Sequence, residues 1–374
     1  MSYHGRFEQA KQPKQPGKKK GLKIFLIVIA VILVLLLILA GAAYLYLQSK
    51  LKKMNIIELP KDTYAYTEPT DEVTRPPETG AAETTEATTE ATVPKMTADD
   101  IINILVVGQA ARAGEESYMA DSTMLVSINT YTKEINCMSV LRDSLVKLPD
   151  YKGHQCGRAK FTVCYNLGHM WGDTAGAMEM TNICLKDNFG VEVDYNVEIS
   201  FDSFIKMIDY IDGIDIELTQ AEADYLNKDT LYVKRTIEPG VQRLQGMEAL
   251  SYARMRKAAG DSESDIKRTE RQRKVVEALL ERFRYMSLSK LNNWVDILMP
   301  MVTTTMTPTD VTKLAAKILP LLPELKIKGY TIPMEGWGDM VDIYDNGEIH
   351  SVMRFDTAKE KKLIRAITEA EVSD

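Results

Sequence analysis

The sequence predicts a three-layer α/β/α sandwich with a central mixed sheet, carried on one transmembrane helix and a disordered tether. Two observations place the domain: an uncharged apolar run near the N-terminus, and a Thr-, Glu- and Pro-rich stretch behind it. A third points to the architecture. Beyond about residue 99, short β-branched runs alternate with stretches of helical period, as helices packed on a buried sheet require.

Residues 24–49 carry no charge and are dominated by Ile, Leu, Val and Ala. As a helix this run would span about 39 Å, more than the roughly 30 Å of a bilayer core. The expected anchor is 22–48, behind a basic tail (1–21) that sets Arg6, Lys11, Lys14, Lys18, Lys19 and Lys20 against Glu8. Such a tail stays cytoplasmic, so a single-pass membrane protein with an extracellular domain is expected. Lys50, Lys52 and Lys53 weaken the contrast without reversing it. Ala40-Gly41-Ala42 resembles a signal-cleavage site, but the apolar run continues through Tyr44-Leu45-Tyr46-Leu47, which favours a retained anchor. From about residue 59 to 98 the chain lacks the apolar side chains that repay ordering entropy, and 49–98 reads as a disordered extracellular linker.

Residues 99–374 suffice for one domain with a well-filled core. Strands are expected at 101–107, closed by Gly108, at 122–128, at 134–140 and at 213–218. Helices are expected at 176–188, 201–211, 245–254 and 266–283. Toward the C-terminus the pattern predicts a cap at 303–310 before a short helix, an edge strand at 330–334 and a last helix at 357–370. Phe201, Phe204, Met207, Ile208 and Ile211 recur at helical spacing; core packing is the plainer reading and a lipid-lining face the sharper one. Cys137, Cys156, Cys164 and Cys184 show no CxxC pair, and His4, His154, His169 and His350 are scattered, so zinc is not indicated. Cys137 reads as core; one bridge among the other three stays open.

Arg254, Arg256, Arg268, Arg271 and Arg273 crowd together in a chain of net charge -7. Guanidinium forks match phosphate oxygens two at a time, so the cluster points to an anion. The plainer reading is a solvated face paired with Asp261, Glu263, Asp265 and Glu270. Nucleic acid is excluded, because the acidic, outward-facing domain has no basic recognition helix.

Several blocks keep their order: Asn103-Ile104-Leu105-Val106-Val107-Gly108, Asp121-Ser122, Leu141-Arg142-Asp143, Leu244-Gln245-Gly246, Ala249 to Arg256, and Arg268-Thr269-Glu270-Arg271-Gln272. Together they closely resemble the LytR-CpsA-Psr family of cell-wall enzymes. The resemblance implies an α/β/α sandwich whose apolar tunnel takes a lipid tail with the pyrophosphate at its mouth. It also implies transfer of a glycopolymer from an undecaprenyl-pyrophosphate carrier to peptidoglycan, through a phosphodiester. By resemblance Asp121 is a ligand of Mg²⁺; Arg142, Asp143, Arg254 and Arg256 are catalytic; and Lys160, Arg268 and Gln272 bind substrate. Arg268, Arg271 and Gln272, three and four apart on a helix, are expected to present donors to one anion, while Arg273 points to solvent. Asp143 reads either as acceptor of the attacking hydroxyl's proton or as the residue that orients Arg142.

The pattern departs from the family where Ala110 stands in place of its first metal-binding aspartate. Met119-Ala120 replaces a frequent Arg-Ser, and Thr162 a frequent Asn. A hard cation prefers several oxygens, so pyrophosphate, water, Glu115 or Glu116 would have to compensate. The alternative is a catalytically weakened relative that binds polyprenyl (pyro)phosphate as a scaffold or regulator.

Overall fold

The computed structural model describes residues 49, 51–60, 96–109, 120–256, 258, 264–287, 290, 293, 297, 299–345 and 348–369. The basic tail, the anchor at 22–48 and the linker at 61–95 lie outside the described residues. Among those described, no helix is long and apolar enough to cross a membrane. Met1–Lys50 and Leu51–Asp374 are separate compact units, and the second of them holds the sheet and its helices.

In chain order the strands and helices of this unit are β1 (Asn55–Ile56), β2 (Ile101–Gln109), β3 (Ala120–Asn129), β4 (Glu134–Val140), β5 (Leu145–Lys147), β6 (Arg158–Lys160) and α1 (Phe161–Phe189). Then come β7 (Tyr195–Ser200), α2 (Phe201–Tyr210), β8 (Ile214–Leu218), α3 (Gln220–Lys228), β9 (Gly240–Leu244), α4 (Gly246–Arg254) and α5 (Ser264–Arg284). The chain closes with β10 (Val302–Thr304), α6 (Pro308–Ile318), β11 (Lys326–Ile332), β12 (Gly338–Asp345), β13 (Glu348–Phe355) and α7 (Thr357–Thr368).

Seven strands form a mixed sheet in the order β1-β10-β7-β2-β3-β4-β11. β2 lies antiparallel to β3 and parallel to β7, with a register shift at Gly108/Gln109. Central strands covered on both faces read as continuous apolar runs, which is why 101–107 shows no alternation. The pleat still sorts them. Leu105, Val107, Leu125 and Met138 pack with Phe161, Tyr165, Met180, Leu185 and Ile364 of α1 and α7. Val106, Met124 and Val126 turn to the opposite face, toward α2, α4 and α5. Three layers result, with a second core of Ile208, Ile214, Leu218, Leu244, Tyr252, Met255 and Val275 outside the sheet.

Three features differ from the sequence reading, and two of them have physical causes. Helix α1 begins at Phe161, well before residue 176, because it is two helical arms joined at a kink where Gly172 and Asp173 leave helical geometry. Gly168 and Gly176 let the arms touch: a Cβ on Gly168 would lie 2.6 Å from the Gly176 carbonyl oxygen. Residues 51–60, expected within the linker at 49–98, join the domain, with Leu51 and Met54 buried and β1 parallel to β10. The β12–β13 hairpin was not anticipated. Edge strand β11, the Thr307–Asp310 capping box before α6 and the final helix lie where expected. All four cysteines are free, Cys137 buried in β4 as expected.

Gly168→Ala is expected to lower stability by about 1–3 kcal/mol, because a backbone atom cannot step aside for the added methyl. Thermal denaturation of the purified protein checks this; an unchanged midpoint would mean the arms are not in contact.

Candidate functional site

A cavity of about 630 Å³ lies between the sheet and helices α2, α4 and α5. Val106, Met124, Val126, Phe201, Phe204, Met207, Leu250, Val275, Val276 and Leu279 make it apolar. Gly108, Ser122, Arg254, Arg256, Arg268 and Gln272 also line it. Along β2, β3 and α5 these polar and small positions cluster at one end: Gly108 pairs with Ser122, Val106 with Met124, and on α5 Arg268 and Gln272 precede Val275 and Leu279. An apolar pocket with converging polar groups at one end suits an amphiphile with an anionic head.

Helix α4 places Arg254 in its last turn, and Arg256 follows at an exposed position. Nη1 of Arg254 donates to the Tyr232 hydroxyl at 3.0 Å, and its guanidinium lies 5.1 Å from the Phe201 ring and 5.8 Å from that of Tyr232. Arg268 is only 5% exposed. The Ser122 hydroxyl donates to Oε1 of Gln272 at 2.9 Å, tying β3 to α5.

A second polar group sits where α1 begins. Oδ1 of Asp143 pairs with Lys160 at 2.8 Å and Oδ2 with Nε of Arg142 at 3.5 Å. The Arg142 carbonyl accepts from Thr162 N–H at 3.1 Å, and the Thr162 hydroxyl donates to the Ala120 carbonyl at 3.3 Å. Asp121 connects the two groups along the backbone: its neighbour Ala120 holds Thr162, and its other neighbour Ser122 holds Gln272. Only the strand backbone of Asp121 is described; Ala110, Glu115, Glu116 and Met119 lie outside the described residues. Among the described residues no three acidic, histidine or cysteine side chains converge on a metal position.

Arg271 is not brought to the cavity. Its Nε donates to Oε1 of Glu222 at 2.9 Å and its Nη1 to the Met255 carbonyl at 3.2 Å, with both charged side chains buried. The helix explains the separation. Gln272 follows Arg268 within about 40° around the axis, whereas Arg271 lies about 60° to the other side. Burial works to raise the Glu222 pKa, yet the Thr219 N–H and the Arg271 guanidinium outweigh it and leave the carboxyl below its usual range. Arg273 is not solvated either: it lies over Gly329, donates to the Tyr330 carbonyl at 3.0 Å, and burial lowers its pKa. Phe201, Phe204 and Met207 line the cavity, while Ile208 and Ile211 enter the second core. Tyr232 was missed, because an isolated loop tyrosine carries no periodic signal.

A family model described as LytR_cpsA_psr family matches residues 72–361. The chain belongs to the LytR_cpsA_psr family. Among relatives of this LytR-CpsA-Psr protein, polyisoprenyl-teichoic acid–peptidoglycan teichoic acid transferase TagT of Bacillus subtilis is 30% identical over 203 residues, 53% of this chain and 57% of TagT. The chain thus spans little more than half the length of that relative. Regulatory protein MsrR of Staphylococcus aureus is 29% identical over 252 residues, 67% of this chain and 69% of its own. The solved structure of YwtF (TagT) with bound octaprenyl pyrophosphate lipid matches with TM-score 0.51 at 20% identity, covering 72% of this chain and 91% of that one. At that identity the likeness establishes the shared mixed α/β fold.

Arg271→Met is expected to destabilise this LytR-CpsA-Psr domain by about 3–5 kcal/mol, since it strands the buried Glu222 charge. Arg256→Ala should leave the melting temperature within about a degree, as an exposed residue would. Glu222 is depressed in the fold, so the pair's contribution is present above the ordinary carboxylate range and lost as pH falls through the depressed value. The gap between wild type and Arg271→Met in thermal melts should therefore narrow below about pH 4.

Proposed function

We propose that this protein transfers a glycopolymer phosphate from an undecaprenyl-pyrophosphate-linked carrier to peptidoglycan, forming a phosphodiester at the outer face of the membrane. The observation that carries this reading is the apolar cavity with Arg254, Arg256, Arg268 and Gln272 gathered at one end. A polyprenyl tail matches the apolar part, and a pyrophosphate matches the guanidinium forks. The names of TagT as a teichoic acid transferase and of a TagT structure holding octaprenyl pyrophosphate support the same class of ligand and reaction. The single-pass anchor, with the N-terminus in the cytoplasm, would keep the cavity near its lipid substrate.

In this reading a peptidoglycan hydroxyl attacks the glycan-bearing phosphorus, and the bond from that phosphorus to the bridging oxygen breaks. Polyprenyl phosphate leaves, and the oxygen freed by that cleavage takes up the proton that the hydroxyl gives up. Negative charge spreads over the phosphoryl oxygens, and Arg142, Arg254, Arg256 and Arg268 stabilise it. Asp143, whose two oxygens face Lys160 and Arg142, orients both cations. Mg²⁺ belongs to the proposal through Asp121 alone. The described residues do not make a cation site by themselves, so no step is assigned to the metal. With Ala110 in the chain, the ion would draw its remaining oxygens from the phosphates and water.

The second reading, a polyprenyl-phosphate-binding scaffold or regulator, draws on Ala110 and on the name of MsrR as a regulatory protein. Full-length protein incubated with a polyprenyl-pyrophosphate glycan, peptidoglycan and Mg²⁺ separates the two. Transfer that falls about 100-fold or more in Arg142→Ala and Arg254→Ala supports the first. Lipid binding without transfer, with Ala110→Asp gaining activity, supports the second. Calorimetry should also show tight Mg²⁺ binding only when the pyrophosphate lipid is present; equal binding with and without lipid would refute the shared ligand set.

A further inference from the structure

We infer that Tyr232, on the loop between α3 and β9, is a positioning residue that, together with Phe201, holds the Arg254 guanidinium ready for a phosphate while leaving its charge unneutralised. The inference rests on the proposed anion at the polar end of the cavity.

An exposed arginine has many rotamers, and holding one of them costs side-chain entropy when a ligand arrives. Elsewhere in this domain arginines are held by carboxylates: Arg235 by Glu248, Arg243 by Asp215 and Arg271 by Glu222. A carboxylate fixes the fork but cancels its charge and occupies the donors that a phosphate needs. Arg254 is held differently. Both rings lie within the ~6 Å over which a cation meets a ring face. Arginine only donates, so the Tyr232 hydroxyl accepts its Nη1–H, and no carboxylate among the described residues pairs with Arg254. The clamp is neutral.

Such a clamp works only if its support is stiff. The Tyr232 loop has no regular secondary structure, yet it is fastened on several sides. Asn227 and Ile237 exchange two hydrogen bonds of 2.8 and 2.9 Å across its base. The Ser251 hydroxyl of α4 donates to Asp229, and Arg235 grips Glu248 of α4 with two bonds of 2.9 and 3.0 Å. Val233 and Ile237 are buried in the second core. The loop is thereby fastened to the helix that carries Arg254. Phe201 arrives separately, as the first residue of α2.

Full-length protein in detergent, titrated with inorganic pyrophosphate, tests this through a double-mutant cycle. Tyr232→Phe keeps the ring and should weaken binding about fivefold, the worth of one net hydrogen bond. Tyr232→Leu should weaken it about twentyfold, since the ring contact goes as well. In an Arg254→Ala background neither change should weaken binding further, because its effect runs through that guanidinium. In the transfer reaction Tyr232→Phe should lower kcat/KM for the lipid donor by at least a similar factor, with kcat falling as well, because Arg254 also meets the charge of the transition state. Equal losses in both backgrounds, wild-type binding by Tyr232→Phe, or no pyrophosphate binding by the wild type would each overturn the inference. Coupling without any glycan transfer by the wild type would uphold the clamp and refute the transferase reading. Transfer with no coupling would do the reverse.

Discussion

The pleat of β2 and β3 divides this domain into a closed side and an open one. Successive side chains must leave a strand on opposite faces, so the run from Ile101 to Val107 feeds two different environments at once. Leu105, Val107 and Leu125 enter a filled core beneath α1. Val106, Met124 and Val126 face a cavity that α2, α4 and α5 roof without filling. A slip of one residue in the β2–β3 register would exchange these sets, exposing core residues to the cavity and crowding the other face.

The roof is held by polar anchors. Arg271 and Glu222 lock α5 to α3, and the Tyr252 hydroxyl lies 3.4 Å from the same carboxylate. Ser122 and Gln272 join the sheet to α5 at the polar end of the cavity. With these bonds in place, the apolar interior of the cavity stays open and its arginines stay near the sheet. One helix thus carries two arginines with opposite duties. Arg268 faces the cavity, and Arg271, a turn further on, holds the scaffold.

Local patterns revealed much of this in advance. The strand runs closed by Gly108, the helical period at 201–211 and the capping box before α6 were all legible, because each rests on contacts within a few residues. The first arm of α1 was not. Gly168 and Gly176 look like helix breakers in isolation, and their use as a contact between two arms appears only when the arms pack. Strand β1 is only two residues long, too short to show a period, and it is defined by its pairing with β10. Arg273 looked solvated until β11 supplied a glycine for it to lie across.

Resemblance of the ordered motif blocks sufficed for the family, and residue type and period sufficed for the mixed α/β architecture and for the crowding of arginines between residues 254 and 273, since these lie along the chain. The assignment of each arginine to its work came from packing. Arg254, Arg268, Arg271 and Arg273 have the same side chain, and sequence spacing could not say which would meet a carboxylate, a carbonyl or an aromatic ring. Those partners come from segments as distant as Phe201, Glu222, Tyr232 and Tyr330. A guanidinium acquires its role from what surrounds it, and for these residues the surroundings exist only once the sheet and its roof have closed.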